Sequence, residues 1–504
     1  MQLKINKEPS ITAYAHHSFP IAIIERDLSE PLLDLEVASA KADWTVESND
    51  INFVWDDRNL TFHSPKYATN TECFLIRTCE RDDSIRIKIK KFRSDIISGI
   101  INIIISEENY MDCVKDDTNV YRLGIVKDFG ILIKKDEQYI TVDLPENVRR
   151  DCCEIKVERN SECVSFYVKN KENNDEWKEV FFDKLSSELR RKELVIGLNA
   201  NFGEPQYYAW KYMNYLQLHY TNVDDNVWLD YYMFGRKNYI FFYTQQFIDL
   251  DCWECREVSE LFGDLWTGIV WFMKQGYYIE VSLDEYFVKN RLRYNKIHYV
   301  HNNLLYGYEQ APDGLYALGY NVKLESTLVP RDVFEKAINE DEIIKVYKFK
   351  CNNQFVPFSL NNFLMNLSDF IEGAHSGERY CNVLPSNDGV YGLNVFKELL
   401  STERGQWIVE HDVRISYLLF EHVSLMLDRL DYFRAKNIIS IKEYKNLRPQ
   451  CEVLLEKAVL FKNRSIKYFA VGKNEKKLFC TLQQLYEEEK KFFTGLYNIL
   501  KDKI

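Results

Sequence analysis

The chain has 504 residues, of which 46% are hydrophobic and 14% aromatic, enough apolar surface for two or three domain cores and too much for an intrinsically disordered chain. Its 65 basic and 77 acidic residues leave a net charge of −12 with no block of five like charges. Such a surface repels nucleic acid and anionic lipid and leaves protein or small-molecule partners. Tyr (33) and Phe (31) are abundant while Gly (19) and Pro (11) are scarce, which favours sheets with aromatic faces over long loops.

Twelve cysteines are dilute in a chain of this length, and the opening MQLKINKEPS has no signal h-region. The expectation is reduced, mostly buried thiols in a cytoplasmic protein. No apolar run reaches about 18 residues, so no membrane-spanning helix is expected. The richest run, IISGIINIII from Ile96 to Ile105, is interrupted by Ser98, Gly99 and Asn102 and suits a strand pair.

In chain order, residues 1 to about 43 read as a polar lead-in carrying an apolar patch, Phe19 to Ile24, that must pack on something else. The adjacent His16 and His17 would point opposite ways on an extended chain, which makes joint chelation awkward, and no metal is expected there. From Trp44 to about Pro205, short alternating runs separated by polar turns predict about ten strands and no helix, hence two packed antiparallel sheets. The order SGIINIIIS, EENYMDC, CVSFYVKNKENNDEWKEV, VIGLNANF resembles the concanavalin-A-like, laminin-G-type jelly-roll sandwich. That resemblance implies carbohydrate binding and, in some members, cleavage by paired carboxylates. Glu107 and Glu108 are adjacent in a loop, and opposed carboxylates cannot be picked out, so a recognition sandwich is the plainer expectation.

Tyr207, Tyr208, Trp210, Tyr212 and Tyr215 read as a seam to a mixed α/β region spanning 206–350. There, Tyr212 to His219, Val227 to Phe234 and Tyr239 to Tyr243 are predicted strands, and Glu257 to Lys274 has helical apolar spacing up to Gly276. Three strands follow: Tyr277 to Leu283 ending in Asp284-Glu285, a second carrying His298 and His301 into Leu304 to Tyr308, and Leu315 to Tyr320 after a Pro312-Asp313-Gly314 turn. A short helix at Asp332 to Ile338 and a strand at Ile343 to Phe349 complete the region. The remainder, 351–504, is predicted helical at Asn361 to Ile371, Gly389 to Leu400, Asp412 to Phe433 and Asn474 to Leu500. On these, His422 reads as a satisfied core histidine and Glu487 to Lys491 as a solvated face.

The SLDEYF, NKIHYVHNNLLYGY and Leu-Gly-Tyr order, with its flanking helices, resembles the His-bearing half of the papain-like superfamily, in the butirosin-biosynthesis-protein-H-like branch, over about 210–504. The resemblance implies an accessory acyltransferase or amide-forming enzyme of natural-product assembly. Its donor would be a carrier-protein-bound thioester, its acceptor a small molecule or peptide, and no cofactor is implied. A Cys thiolate would attack, a His would act as base and an Asp or Asn would orient it. His301 is then the best base and His298 the second. The chain departs from that pattern in two places. The orienting carboxylate falls at Gly319, with Asn321 two residues on, and no Cys opens a helix well upstream. Cys255, at a helix start where the dipole lowers a thiol pKa, is the substitute candidate nucleophile. Cys252-x-x-Cys255 with His298-x-x-His301 supplies four possible zinc ligands, but an i,i+3 pair on a strand points to opposite faces. Asp284 and Glu285 either meet solvent and nearby cations or sit beside a histidine and position an amine. The rival reading is a non-catalytic scaffold on a papain-like fold without its Cys, or a glycan-binding sandwich.

Overall fold

The computed structural model describes the whole chain except residues 28–30, 40–44, 49–52, 56–58, 64–70, 80–81, 93–98, 107–120, 127–129, 136–137, 143–152, 171–175, 191–193, 203–205, 224–225, 232–246, 322, 351–357 and 377–388. Glu107, Glu108, the 239–243 strand and the 171–175 turn therefore lie outside the described residues. The chain divides into two compact units, Leu28–Tyr208 and Met1–Asp27 with Ala209–Ile504.

The first unit is two seven-stranded antiparallel sheets. One runs, edge to edge, Lys178–Lys184, Cys163–Asn170, Cys153–Arg159, Asp83–Phe92, Pro31–Ser39, Asn59–His63, Phe53–Trp55. The other runs Gln138–Val142, Gly130–Lys135, Tyr121–Val126, Gly99–Ser106, Leu194–Phe202, Thr71–Cys79, Thr45–Ser48. Period-two alternation builds it: Ile85, Ile87 and Ile89 point inward from a strand whose Arg86 is exposed, and they share one core with Ile101, Ile103, Leu123 and Ile133 of the other sheet. Each fully buried aliphatic contributes about 1.5–3 kcal/mol. Polar ties cross the core as well. Asp183 of the first sheet accepts from Tyr121 of the second at 2.6 Å, and the Arg159 guanidinium donates to the Cys79 carbonyl at 2.6 Å.

The second unit is mixed α/β. Its six-stranded antiparallel sheet runs Ile248–Glu254, Ile343–Phe349, Tyr278–Asp284, Val300–Gln310, Asp313–Tyr320, Leu324–Pro330. Helices Cys255–Phe262, Leu265–Lys274 and Arg331–Ala337 bury Val258, Ile269, Phe272 and Phe334 on Ile279, Val281, Leu315 and Val346 of that sheet. The single helix predicted over 257–274 is two, because Gly263 takes a left-handed φ of 88° and Asp264 restarts the helix by accepting from the Thr267 amide. A three-stranded sheet of Asn226–Tyr231, Leu218–Val223 and Gly389–Tyr391 joins this region to the C-terminal helices. Residues 209–350 and 351–504 thus fall in one unit.

Those helices are Leu360–Glu372, Asn394–Ser401, Glu403–His411, Arg414–Ala435, Ile441–Val471 and Glu475–Lys501. Ile441–Val471 has no counterpart in the sequence reading: Pro449 lies inside it and charges surround it, but a capping box of Ser440 and Glu443 starts it. Three further expectations change. Gln206–Met213 is a helix, so the expected strand from Tyr212 begins only at Leu218. Residues 1–27 belong with 209–504 and not with the sandwich, and Phe19–Ile24 lies in a buried helix, Ala15–Ile24. Glu489, within the expected solvated face, is fully buried 3.6 Å from His422.

Arg429 fixes the centre of this unit. Fully buried on Arg414–Ala435, it donates to the carbonyls of Tyr212 (3.0 Å), Asn214 (2.5 Å) and Tyr215 (3.0 Å) at the C-terminal end of the Gln206–Met213 helix. Arg429→Leu leaves two buried carbonyls and one half-buried carbonyl short of a donor and should cost about 3 kcal/mol in chemical denaturation; an unchanged midpoint would contradict this role.

Candidate functional site

The six-stranded sheet turns its second face toward the N-terminal segment. Residues 1–3 run along the free end of Val300–Gln310: the Met1 ammonium donates to the Tyr308 carbonyl at 2.7 Å, and the Leu3 amide to that of Tyr306 at 2.7 Å. Gly307 permits this approach, since a Cβ there would meet Gln2 and Met1 at about 3 Å. Further on, the Tyr278 hydroxyl donates to the Lys4 carbonyl and the Tyr320 hydroxyl to that of Thr12, both at 2.7 Å. Glu421, buried on Arg414–Ala435, accepts from the Thr12 amide (2.7 Å), the Thr12 hydroxyl (2.6 Å) and the Ala13 amide (3.3 Å).

A cavity of about 930 Å³ opens between this segment, the sheet and the start of Arg414–Ala435. Tyr14, Trp228, Tyr320 and Tyr417 line it with Lys7, Lys323, Lys345, Arg414, His16, His301, Asn302, Asn321, Glu8 and Glu325. Arg414 lies over the rings of Tyr14 (5.0 Å) and Trp228 (5.1 Å) and pairs with Asp412 at 2.7 Å. Lys345 pairs with the buried Glu280 at 2.9 Å, which also accepts from Asn302 (2.6 Å) and Tyr347 (2.5 Å).

Of the residues singled out by sequence, His301 lies on the cavity wall, its Nδ1 3.3 Å from Oε1 of the buried Glu285. His298 precedes the strand, which begins at Val300; it is exposed, bonded to Asp284 at 2.6 Å and stacked on Tyr286. The two histidines therefore serve separate carboxylates, and His298 is not among the cavity residues. Asp284 also accepts from the amides of Tyr286 (3.1 Å) and Tyr299 (3.0 Å), so it organises the turn. Burial pushes its pKa up, but the His298 bond and those amides outweigh it and hold the carboxyl below its usual range.

Cys255 does open a helix, but it is fully buried, and its thiol is pushed up to about 11, by burial first and then by Glu342 and Glu340. The expected dipole-lowered thiolate is not what forms, because burial and the two nearby carboxylates favour the protonated thiol. No cysteine is among the described residues lining the cavity.

At the position where the resemblance puts the orienting carboxylate, Gly319 has no room for a side chain; a Cβ would come within 2.2 Å of Asn303 Oδ1 and 2.5 Å of the Arg291 guanidinium. Buried Arg291 occupies that place, donating to Asn303 (2.9 Å) and to the Glu325 carbonyl (3.2 Å). Asn321 bonds Glu325 and the Asn290 carbonyl and does not orient a histidine. The arrangement supplies an oriented imidazole, aromatic surface and cations around one hollow, with no thiol beside that imidazole among the described residues.

Sequence reasoning missed Glu421, Asp230 and the N-terminal wall. His16 and His17 sit in the first turn of Ala15–Ile24, and both reach Asp230, at 2.7 and 2.9 Å. Their divergence was expected for an extended chain; on a helix, adjacent side chains are only about 100° apart.

No family model matches the chain, and no curated protein does. Among solved structures, the carbohydrate recognition domain of Emp46p, in a point-mutant form, is 9% identical with a TM-score of 0.21, covering 32% of this chain and 81% of that one. That of Emp47p is 10% identical with a TM-score of 0.20, covering 35% and 88%, and the Ca²⁺-bound exoplasmic/lumenal domain of VIP36 is 8% identical with a TM-score of 0.15, covering 32% and 76%. These neighbours are lectin-like; overlaps at such TM-scores carry no argument about this chain. No helix among the described residues is long and apolar enough to cross a membrane.

Burial raises the Glu421 carboxyl from its usual range to about 7, against the Thr12 and Ala13 bonds and Lys462, which favour the charged form. A raised folded-state pKa means that this group's contribution is fully present below about 4.5 and is lost as pH rises through about 7. That loss amounts to about 3 kcal/mol. Glu489, raised in the same direction by burial, adds to it. Denaturation of Glu421→Gln at pH 5 and pH 8 should show that share of the decline removed; identical slopes for variant and parent would refute the assignment.

Proposed function

We propose that this chain is a binding protein whose cavity takes an amphipathic organic anion. The observation that carries this is the wall itself: aromatic faces of Tyr14, Trp228 and Tyr417 beside Lys7 and Lys323, which have no carboxylate partner among the described residues. In a chain of net charge −12, two lysines unpaired by carboxylates at an aromatic hollow favour an anionic head on a flat or apolar body. Polar contacts from Asn321 and from His301, held by Glu285, would set its orientation. Acyl transfer through a thiolate asks for a cysteine beside His301, and Cys255 is a sealed, protonated thiol; a carrier protein is not required by the binding reading.

The probe is 8-anilinonaphthalene-1-sulfonate with the folded full chain. One saturable site should appear by fluorescence titration and calorimetry, and Lys323→Ala or Lys7→Ala should each weaken it about tenfold, the loss of one charge-assisted contact. Binding that neither variant alters, or turnover of an acyl thioester in the presence of an amine, would defeat this reading.

A second reading, glycan binding by the sandwich, is supported by an aromatic pair on its outer face. Tyr167, one residue from the inward Phe166 and Val168, points away from the core, with the Lys156 ammonium 4.1 Å from its ring. The same ammonium lies 5.1 Å from Trp177, with Arg86 and Lys169 at 5.9 and 5.7 Å. Aromatic faces of this kind stack on sugar rings. On a glycan array the chain should give hits that Trp177→Ala abolishes; a blank array would eliminate this role.

A further inference from the structure

We propose that His16, His17 and Asp230 form a site for a divalent first-row transition cation, zinc foremost, with a coordination position open to the cavity. The three side chains come from two elements, the first turn of Ala15–Ile24 and the end of Asn226–Tyr231, and their ligand atoms all lie within 4.8 Å of one another. His16 Nε2 is 2.7 Å from Asp230 Oδ2, and His17 Nε2 is 2.9 Å from Oδ1. Around a tetrahedral zinc with bonds of about 2.0–2.2 Å, neighbouring ligand atoms stand about 3.3–3.5 Å apart. The carboxylate contacts need to lengthen by roughly half an ångström, and the imidazole pair must close by about 1.5 Å at most, both within the reach of side-chain rotation.

The surroundings fit a metal site better than a simple tie between helix and strand. One imidazole would suffice to anchor a strand carboxylate that already accepts from the Tyr231 amide at 2.8 Å, yet two converge on it. The His17 ring is buried, and its Nδ1 meets no hydrogen-bond partner among the described residues. The Asp230 carboxylate can only accept, so Nε2 carries the ring proton in the metal-free form, and a cation binding at Nε2 would displace that proton. His16 is the ligand at the cavity wall, beside Tyr14 and Trp228, so a fourth ligand can come from solvent or from a bound anion. Two nitrogens and one carboxylate oxygen suit zinc, iron(II) or manganese(II) more than calcium or magnesium.

The test uses the full chain stripped with a chelator and titrated with Zn²⁺ by calorimetry and with Co²⁺ by visible absorption. One equivalent should bind, with cobalt d–d bands but no thiolate charge-transfer band, which separates this site from the chain's twelve cysteines. His16→Ala, at the partly exposed ligand, and Asp230→Asn should each lower affinity more than about 100-fold while circular dichroism is retained. No stoichiometric uptake, a thiolate band, or unchanged affinity in folded His16→Ala would overturn the proposal. Because the readout is the metal alone, it stands apart from binding of the anilinonaphthalene probe.

Discussion

A carboxylate buried against a chain terminus holds the second unit in its form. Glu421 sits deep on the Arg414–Ala435 helix with three donors from Thr12 and Ala13 around it. A charge or a proton in that position is tolerable only while those donors stay in place, so the helix and the N-terminal segment are committed to each other. Tyr320 extends the commitment to the sheet, because its hydroxyl bonds both the Thr12 carbonyl and Ser18. The cavity is what remains between the sheet, the helix and the segment that these bonds suspend.

That suspension explains the composition of the site. The wall draws residues separated by up to about 400 positions, from Lys7 to Tyr417. The sheet contributes an imidazole with a fixed partner, His301 on Glu285, while Arg291 fills the space above Gly319 and locks Asn303. The helix contributes Arg414, laid across Tyr14 and Trp228. A hollow lined by aromatic faces with a guanidinium laid across two of them follows from these placements.

Much of the framework could be read from the residues. The alternation in SIRIKIKKF gives a strand with one aliphatic face, and the 3.6-residue spacing around Leu418, Leu425 and Leu430 gives the central helix. His301 lies on the expected strand with an acidic neighbour, because register pairs it with Leu283, two residues before Glu285, whose carboxylate reaches back to it. Errors arose where a local pattern was overruled by distant packing. The helix at Gln206–Met213 carries β-favouring tyrosines, yet Arg429 collects its final carbonyls. Glu489 looks solvated within a run of charges and is buried because its helix turns that position toward His422.

The sequence by itself determined the two packed antiparallel sheets and the helical character of the C-terminal region, because period-two and period-3.6 burial are local properties of the chain. Only the tertiary structure decided that the first 27 residues return to the far end of the chain, that His16 and His17 meet at Asp230, and that Cys255 is sealed. Each of these depends on which surfaces exclude water from one another. Desolvation is set by neighbours in space, and no spacing along the chain encodes it.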